Sequence, residues 1–225
     1  MRLDGSSALV ERENKMRTKL GVLCMIMGAA LVMGALFLFI TNEREAQEAG
    51  NSVTELLPQL VQEMEKQMQE ESEMPTQGIE EVTDVVEEAI SDTPAMPVVT
   101  LDGEKYIGIL SIPALGMEWP VMTDWTYAKL RVSPCRYAGS LDGDDLVIMA
   151  HNYKRHFGEL SSLSKSDRVL FTDVNGTAIE YEVVAQDLLP PHAVEEMTAG
   201  EFDLTLFTCT YSGQSRVTVY CDRVS

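Results

Sequence analysis

Leu204-Thr205-Leu206-Phe207-Thr208-Cys209 is a β-prone run that ends on a thiol, and Arg216 opens a second such run, Val217-Thr218-Val219-Tyr220. A cysteine at a strand end sits on a rigid frame and can still face a cleft, where a nucleophile is useful. With strands over 205–209 and 216–220, the glycine-containing link 211–215 lets them run antiparallel, with Cys209 and Arg216 both near the turn. A fixed guanidinium stabilises a thiolate or a developing oxyanion, but it keeps its proton and is no base. The base must come from the three histidines. His151 ends the apolar run Leu146-Val147-Ile148-Met149-Ala150, which reads as a buried strand, and opens the polar loop Asn152-Tyr153-Lys154-Arg155. His156 lies in that loop and His192 follows Pro190-Pro191. A strand terminus fixes an imidazole better than a loop does, so His151 is the candidate base. The competing reading is a loop histidine bonded only to backbone. Asn152 and Tyr211 adjoin the candidates and are read as site-lining residues.

Reference pKa values of about 8.5 for a thiol and 6.5 for imidazole leave only roughly 1% of independent sites as thiolate plus imidazolium at pH 7. Either the site shifts these values or it works from a minor form. Besides Cys209, the chain has Cys24 in an apolar span, Cys135 and Cys221. A Cys135–Cys221 disulfide would spare Cys209, whereas a buried Cys221 needs no partner. No Cys-x-x-Cys spacing supports a zinc site, so neither metal nor cofactor is expected.

The residues resemble those of sortases, the membrane-anchored cysteine transpeptidases of Gram-positive bacteria, over about residues 106–224. Four segments carry the likeness, in the family's order. Tyr106-Ile107-Gly108-Ile109-Leu110-Ser111-Ile112-Pro113 with Trp119-Pro120-Val121 is similar to the first strand pair. Gly143-Asp144-Asp145-Leu146-Val147-Ile148-Met149-Ala150-His151-Asn152 resembles the strand that ends in the catalytic histidine. Phe157-Gly158-Glu159-Leu160 with Leu163 resembles the turn beyond it, and Thr205-Leu206-Phe207-Thr208-Cys209 matches Thr-Leu-x-Thr-Cys. The resemblance implies an eight-stranded β-barrel, with Cys209, His151 and Arg216 as nucleophile, proton carrier and oxyanion holder. It also implies that Thr208 contacts the substrate backbone, and that the connection before the cysteine strand, with Leu189 and Pro190, forms a groove wall. A surface loop rich in proline explains Leu189 and Pro190 as well, and a β-branched strand residue explains Thr208. Thr210-Tyr211 is similar to the class B branch, but the connection before the cysteine strand is short for that class, which leaves the class open. The path from Cys209 to Arg216 is also shorter than in many sortases, so a tight loop and an open groove end are expected.

The rest of the chain must bring this chemistry to its place. Residues 20–40 contain no charged side chain, and at about 1.5 Å rise per residue they reach about 30 Å, enough to cross a bilayer core. A cleavable signal peptide would have a shorter apolar run followed by small residues; Phe37-Leu38-Phe39-Ile40-Thr41-Asn42 offers no such site. Arg2, Arg12, Lys15, Arg17 and Lys19 precede the span, so the expectation is a cytoplasmic tail at 1–19, an anchor at 20–40 and everything after it outside. From Glu43 to Asp92, fifteen acids face only Arg44 and Lys66, a net −13 of the chain's −19. An acidic extracytoplasmic stalk over 41–97 follows, unsuited to nucleic acid or an anionic membrane surface. Val53, Leu56, Leu57, Leu60, Val61, Met64 and Met68 recur at helical spacing, a stripe that can dock on the catalytic domain, pair with a second copy or stay marginal. Pro75, Gly78, Pro94 and Pro97 mark a spacer over 74–97.

From residue 98 the composition turns mainly β. Strands are expected over 106–112, 119–122, 146–149, 168–172, 178–186, 203–209 and 216–221, with Asn175-Gly176 as a hairpin turn. Single helical turns fit 123–129 and 158–163, and a short helix fits 193–201. So many short strands in about 125 residues imply a closed or nearly closed β structure, the catalytic domain at 98–225. The resemblance then implies partners: the sorting-signal peptide of a surface protein, Leu-Pro-x-Thr-Gly-like, and an acceptor amine from a peptidoglycan precursor or a pilin lysine. Two other readings stand beside it, a tethered thiol peptidase that only hydrolyses and a surface binding module with an inert cysteine.

Overall fold

The computed structural model describes residues 5–73 and 96–224, and its contacts divide the chain into Met1–Glu45 and Ala46–Ser225. Helix α1 (Gly5–Glu73) contributes to both. Its segment Lys19–Thr41 is long and apolar enough to cross a membrane, and side chains such as Leu31, Phe37 and Phe39 point outward along it.

The second unit is built on nine strands: β1 (Val99–Leu101), β2 (Glu104–Ile112), β3 (Met117–Met122), β4 (Cys135–Ala138), β5 (Leu146–Met149), β6 (Arg168–Asp173), β7 (Ala178–Leu189), β8 (Leu204–Cys209) and β9 (Arg216–Arg223). They follow one another in space as β1-β2-β3-β4-β5-β8-β9-β7-β6, and β2 also pairs with β6. That pairing closes β2 to β9 into an eight-stranded barrel and leaves β1 as a hairpin extension of β2. Closure needs a close backbone approach at Gly108, where a Cβ would lie 2.2 Å from the Thr172 carbonyl oxygen. The interior follows the two-residue alternation of strands: Ile107, Leu110, Trp119, Leu146, Ile148, Phe171, Leu204, Leu206 and Val219 pack into one buried cluster.

The outer face is covered in two places. Over β1 to β4, Leu60 and Met64 of α1 are buried with Val99, Tyr106, Ile109, Met122 and Cys135, and Leu57 packs beside them. The apolar stripe therefore docks on the barrel, while Val61 of that stripe stays exposed. Over β5, β8 and β9 runs the connection 190–203, which carries the short helix α3 (Val194–Met197) and plants Met197 against Val147 and Phe207.

Most expected strands form, and β1 and β4 are additions. The first follows from Asp102-Gly103, both at positive φ, which fold Leu101 back onto Glu104. The second is short, lies between Pro134 and Gly139, and is held mainly by β5. Between β3 and β4 lies helix α2 (Tyr127–Leu130), and Phe157–Ser162 forms a 3-10 turn, near the single turns expected there. The helix expected over 193–201 shortens to α3. Of the spacer over 74–97 only Met96 and Pro97 are described, and Val53 of the stripe has no described side chain.

Candidate active site

Strand β8 lies between β5, which runs parallel to it, and β9, which runs antiparallel. Its last ladder pair is Cys209 with Arg216. On the other side the register runs from Leu146↔Leu204 to Met149↔Phe207, and the Ala150 N–H still donates to the Phe207 carbonyl at 3.3 Å. Continuing this register by two residues sets His151 beside Cys209. Leu204 and Leu206 face the barrel interior and Phe207 the outer cluster, so alternation turns Cys209 outward. The same count turns His151 outward after Val147 and Met149, and Arg216 outward opposite the inward Val217, Val219 and Cys221. Neighbouring strands lie about 4.8 Å apart, so one end of the outer face presents histidine, cysteine and arginine in that order within about 10 Å of backbone.

Each neighbour of the thiol is held by a local device. After His151 the chain folds back: the Phe157 N–H donates to the His151 carbonyl at 3.0 Å, and the N–H groups of His156 and Gly158 donate to the Tyr153 carbonyl at 2.8 and 3.0 Å. Gly158 allows this, since a Cβ there would sit 2.7 Å from the carbonyl oxygens of Asn152 and Tyr153. The Tyr153 ring lies against the His151 ring, centroids 4.8 Å apart. On the other side, residues 210–215 form a closed turn: the Thr210 N–H donates to the Ser215 carbonyl at 2.9 Å and the Gly213 N–H to the Thr210 carbonyl at 2.8 Å. Arg216 Nη1 donates to the Gly213 and Ser215 carbonyls at 3.2 and 3.1 Å. Among the described residues no carboxylate pairs with Arg216, and its remaining N–H groups are available to an anion. The tight loop expected between Cys209 and Arg216 is therefore present.

The three histidines separate by environment. His151 is half-buried at the strand end and His192 is exposed on the 190–203 connection. His156 is fully buried with its ring 4.6 Å from that of Trp119, and neither ring nitrogen has a hydrogen-bond partner. Burial first, and the nearby His151 second, hold its pKa down at about 3, so it stays neutral. The cysteines separate likewise: all four are free, the pairing of Cys135 with Cys221 does not occur, and Cys209 alone of the three beyond the apolar span is half-exposed. Burial pushes the Cys135 thiol up to about 12 and raises that of Cys221. Among the described residues no cluster of His, Cys, Asp or Glu is arranged to hold a metal ion.

The remaining candidates are spread around this site. Thr208 is buried and faces inward; its hydroxyl donates to the Ala150 carbonyl at 2.8 Å, tying β8 to β5 one residue before the cysteine. It is placed to hold the strand ends together rather than to line an open groove. Asn152 is half-buried in the loop after His151, and Tyr211 is 87% exposed on the turn after Cys209. Leu189 packs in the outer cluster and Pro190 is exposed beside it. Beneath the outer face beside the thiol, Met149, Phe207 and Tyr137 pack in one cluster with Met197. Reading the outward positions of β5 and β8 would have found the first two; Tyr137 needs the unforeseen β4.

A closed β-barrel with a half-exposed cysteine between a histidine and an arginine at one end defines a class of cysteine-bearing barrel domain. The Sortase domain family matches residues 110–224, just over half of the chain, and the chain belongs to that family. Sortase A of Bacillus anthracis is 27% identical over 116 residues, which make up 49% of this chain and 55% of the relative, so the chain spans about half of that protein's length. In fold the chain is similar to sortase A from Corynebacterium diphtheriae, with a TM-score of 0.50 and 24% identity over 54% of this chain and 62% of that one. Sortase C1 from Streptococcus agalactiae gives the same TM-score and identity over 56% and 71%. These structural likenesses establish the barrel.

Proposed function

We propose that the chain is a membrane-anchored sortase transpeptidase, and the observation that carries this is the placing of Cys209 at the end of the central strand, with His151 and Arg216 on its two neighbours. The Cys209 sulfur attacks the backbone carbonyl carbon of a sorting signal of the Leu-Pro-x-Thr-Gly type, and the Arg216 guanidinium holds the oxygen as it takes up charge. Collapse of the tetrahedral intermediate breaks the C–N bond; His151 gives the departing amine its proton, and a thioester remains. An incoming amine then attacks the thioester carbon, His151 takes its proton, the C–S bond breaks and the thiol is restored. From imidazole and thiol, His151 takes the S–H proton as the sulfur attacks and so holds the proton it then gives the amine. From imidazolium and thiolate that transfer has already occurred, and in both cases the proton taken from the incoming amine restores the starting pair. The acceptor amine belongs to a peptidoglycan precursor or a pilin lysine.

The division of labour along the chain belongs to the same reading. Residues 1–19 form a cytoplasmic tail, 20–40 the anchor, 41–97 an acidic extracytoplasmic segment whose helical part docks on the barrel, and 98–225 the catalytic domain. The basic residues before the span and the acidic ones after it support that orientation.

Incubating the detergent-solubilised chain with a sorting peptide, with and without an added amine, tests the reaction by product mass. The expected result is a thioester at Cys209 and an amide product that forms only with the amine; Cys209→Ala gives neither. Hydrolysis that ignores the amine would make the protein a thiol peptidase. An unreactive thiol with no turnover would leave a binding module.

A further inference from the structure

The outer face beside the thiol carries a row of aromatic rings that the proposed reaction does not use. Phe207 lies two residues before Cys209 on the same side of β8, and its ring meets the edge of Tyr137 at 5.1 Å. Tyr137 stacks on Trp125 at 6.0 Å, and Trp125 meets Tyr127 at 6.0 Å, edge to face. Exposure rises along the row: Phe207 is 3% exposed, Trp125 39% and Tyr127 75%. The far end is no loose loop. The Lys129 ammonium lies 2.8 Å from the Asp124 carboxylate and 3.1 Å from that of Glu104 on β2, and the Thr126 hydroxyl accepts the Lys129 N–H at 3.1 Å. Trp125 is thus presented between two pinned residues. Rigid Trp and Tyr faces that are half in water offer large contact area at small entropic cost, the property of binding hot spots.

We propose that Trp125 and Tyr127, reached through Tyr137, form a subsite for the polypeptide that carries the scissile bond, taking an apolar or aromatic residue some way along the chain from the bond. This rests on the transpeptidase reading. Continuity selects the occupant: Phe207, buried two residues before the thiol, backs the half-buried Tyr137, and from Tyr137 the row leads outward in ring-to-ring steps, so an extended chain leaving the thiol on that side meets it. With about 3.3 Å per residue along both β8 and the bound peptide, and the two ring steps of 5.1 and 6.0 Å, Trp125 lies about five residues from the scissile bond. A five-residue signal that contains the bond covers at most four residues on either side of it and stops short of Trp125. The subsite therefore reads sequence that flanks the signal.

The test uses the full chain in detergent and peptides that share one Leu-Pro-x-Thr-Gly core. One is bare; the others are extended by six residues on either side, with phenylalanine or serine at the fifth residue from the scissile bond. The expected result is a roughly five- to tenfold higher kcat/KM for one phenylalanine extension, expressed in KM, the size of a single aromatic contact. Trp125→Ala cancels that gain and Trp125→Phe keeps most of it, which separates contact from misfolding. Of the two tryptophans Trp119 is buried, so binding of the extended peptide to Cys209→Ala is read as a blue shift of Trp125 emission. Equal kcat/KM for bare and extended peptides, or a gain that survives Trp125→Ala, overturns the subsite. If no peptide is turned over, the transpeptidase reading fails, and the Trp125 emission shift still decides whether the platform binds the extended peptide.

Discussion

At the residue scale the site holds one half-exposed thiol with a histidine and an arginine on either side of it. Arg216 is held by turn carbonyls through Nη1, so its other N–H groups point their charge at a fixed place. Arg216→Lys retains the charge but loses the planar fork, and by analogy with the removal of an oxyanion donor kcat should fall about 10²- to 10³-fold with KM little changed, as read from initial rates on a sorting peptide. His156 has a different consequence. In the unfolded chain its pKa is near the ordinary 6.5, whereas in the fold burial and His151 hold it at about 3. Above pH 6.5 both states are neutral; below it the unfolded chain takes a proton that the folded chain refuses. Stability should therefore drop as pH falls from about 6.5 towards 3, by up to about 1.4 kcal/mol per pH unit from this one residue. His156→Phe removes that slope and two unpaired buried nitrogens, so urea unfolding at pH 7 and 5 should show the variant losing less on acidification.

At the element scale, docking decides what residues 55–68 do. A solvated stalk would tolerate Leu60→Ala at little cost, but Leu60 is fully buried against β1 and β2, so the substitution should destabilise the barrel unit by about 2–5 kcal/mol in urea unfolding. Gly158→Ala tests the other support. A Cβ there meets two backbone carbonyls that cannot yield without moving the His151 loop, and a displacement of about 1 Å at the imidazole costs on the order of 10²-fold in kcat. Peptide turnover in a variant that still gives a native far-ultraviolet spectrum measures it. These elements also mark what could be read in advance. Strand alternation and the thiol at the end of an apolar run revealed β5, β8 and β9 and the Cys209–Arg216 pair, because those signals are local; His151, 58 positions from Cys209, was picked out by its strand-end setting and by the resemblance. The helical stripe was visible, but its fate was not, since docking depends on which outer face of the barrel remains uncovered. Strand β4 escaped because a run of four residues after Pro134 is too short to show an alternation of its own. Thr208 was named as a candidate, but its bond to the Ala150 carbonyl, 58 positions away, had no local signal.

At the scale of the whole molecule, the proposed anchor and orientation together with burial predict one accessible thiol on one side of a membrane. Cys24 lies inside the apolar segment Lys19–Thr41, and Cys135 and Cys221 are buried in the barrel unit. Burial raises the pKa of both buried thiols, so neither is reactive at neutral pH even where reagent reaches the surface. Cys209 is half-exposed at the open end of the barrel. In the orientation proposed above, the basic residues before the span stay inside and the barrel lies outside. A membrane-impermeant maleimide applied to intact cells should therefore add one label per chain, and Cys209→Ala should abolish it. Detergent alone should add no further label, whereas denaturant should expose the two buried thiols and Cys24. Labelling that appears only after the membrane is opened would reverse the orientation, and labelling that survives Cys209→Ala would mean that the barrel opens readily enough to expose a buried cysteine.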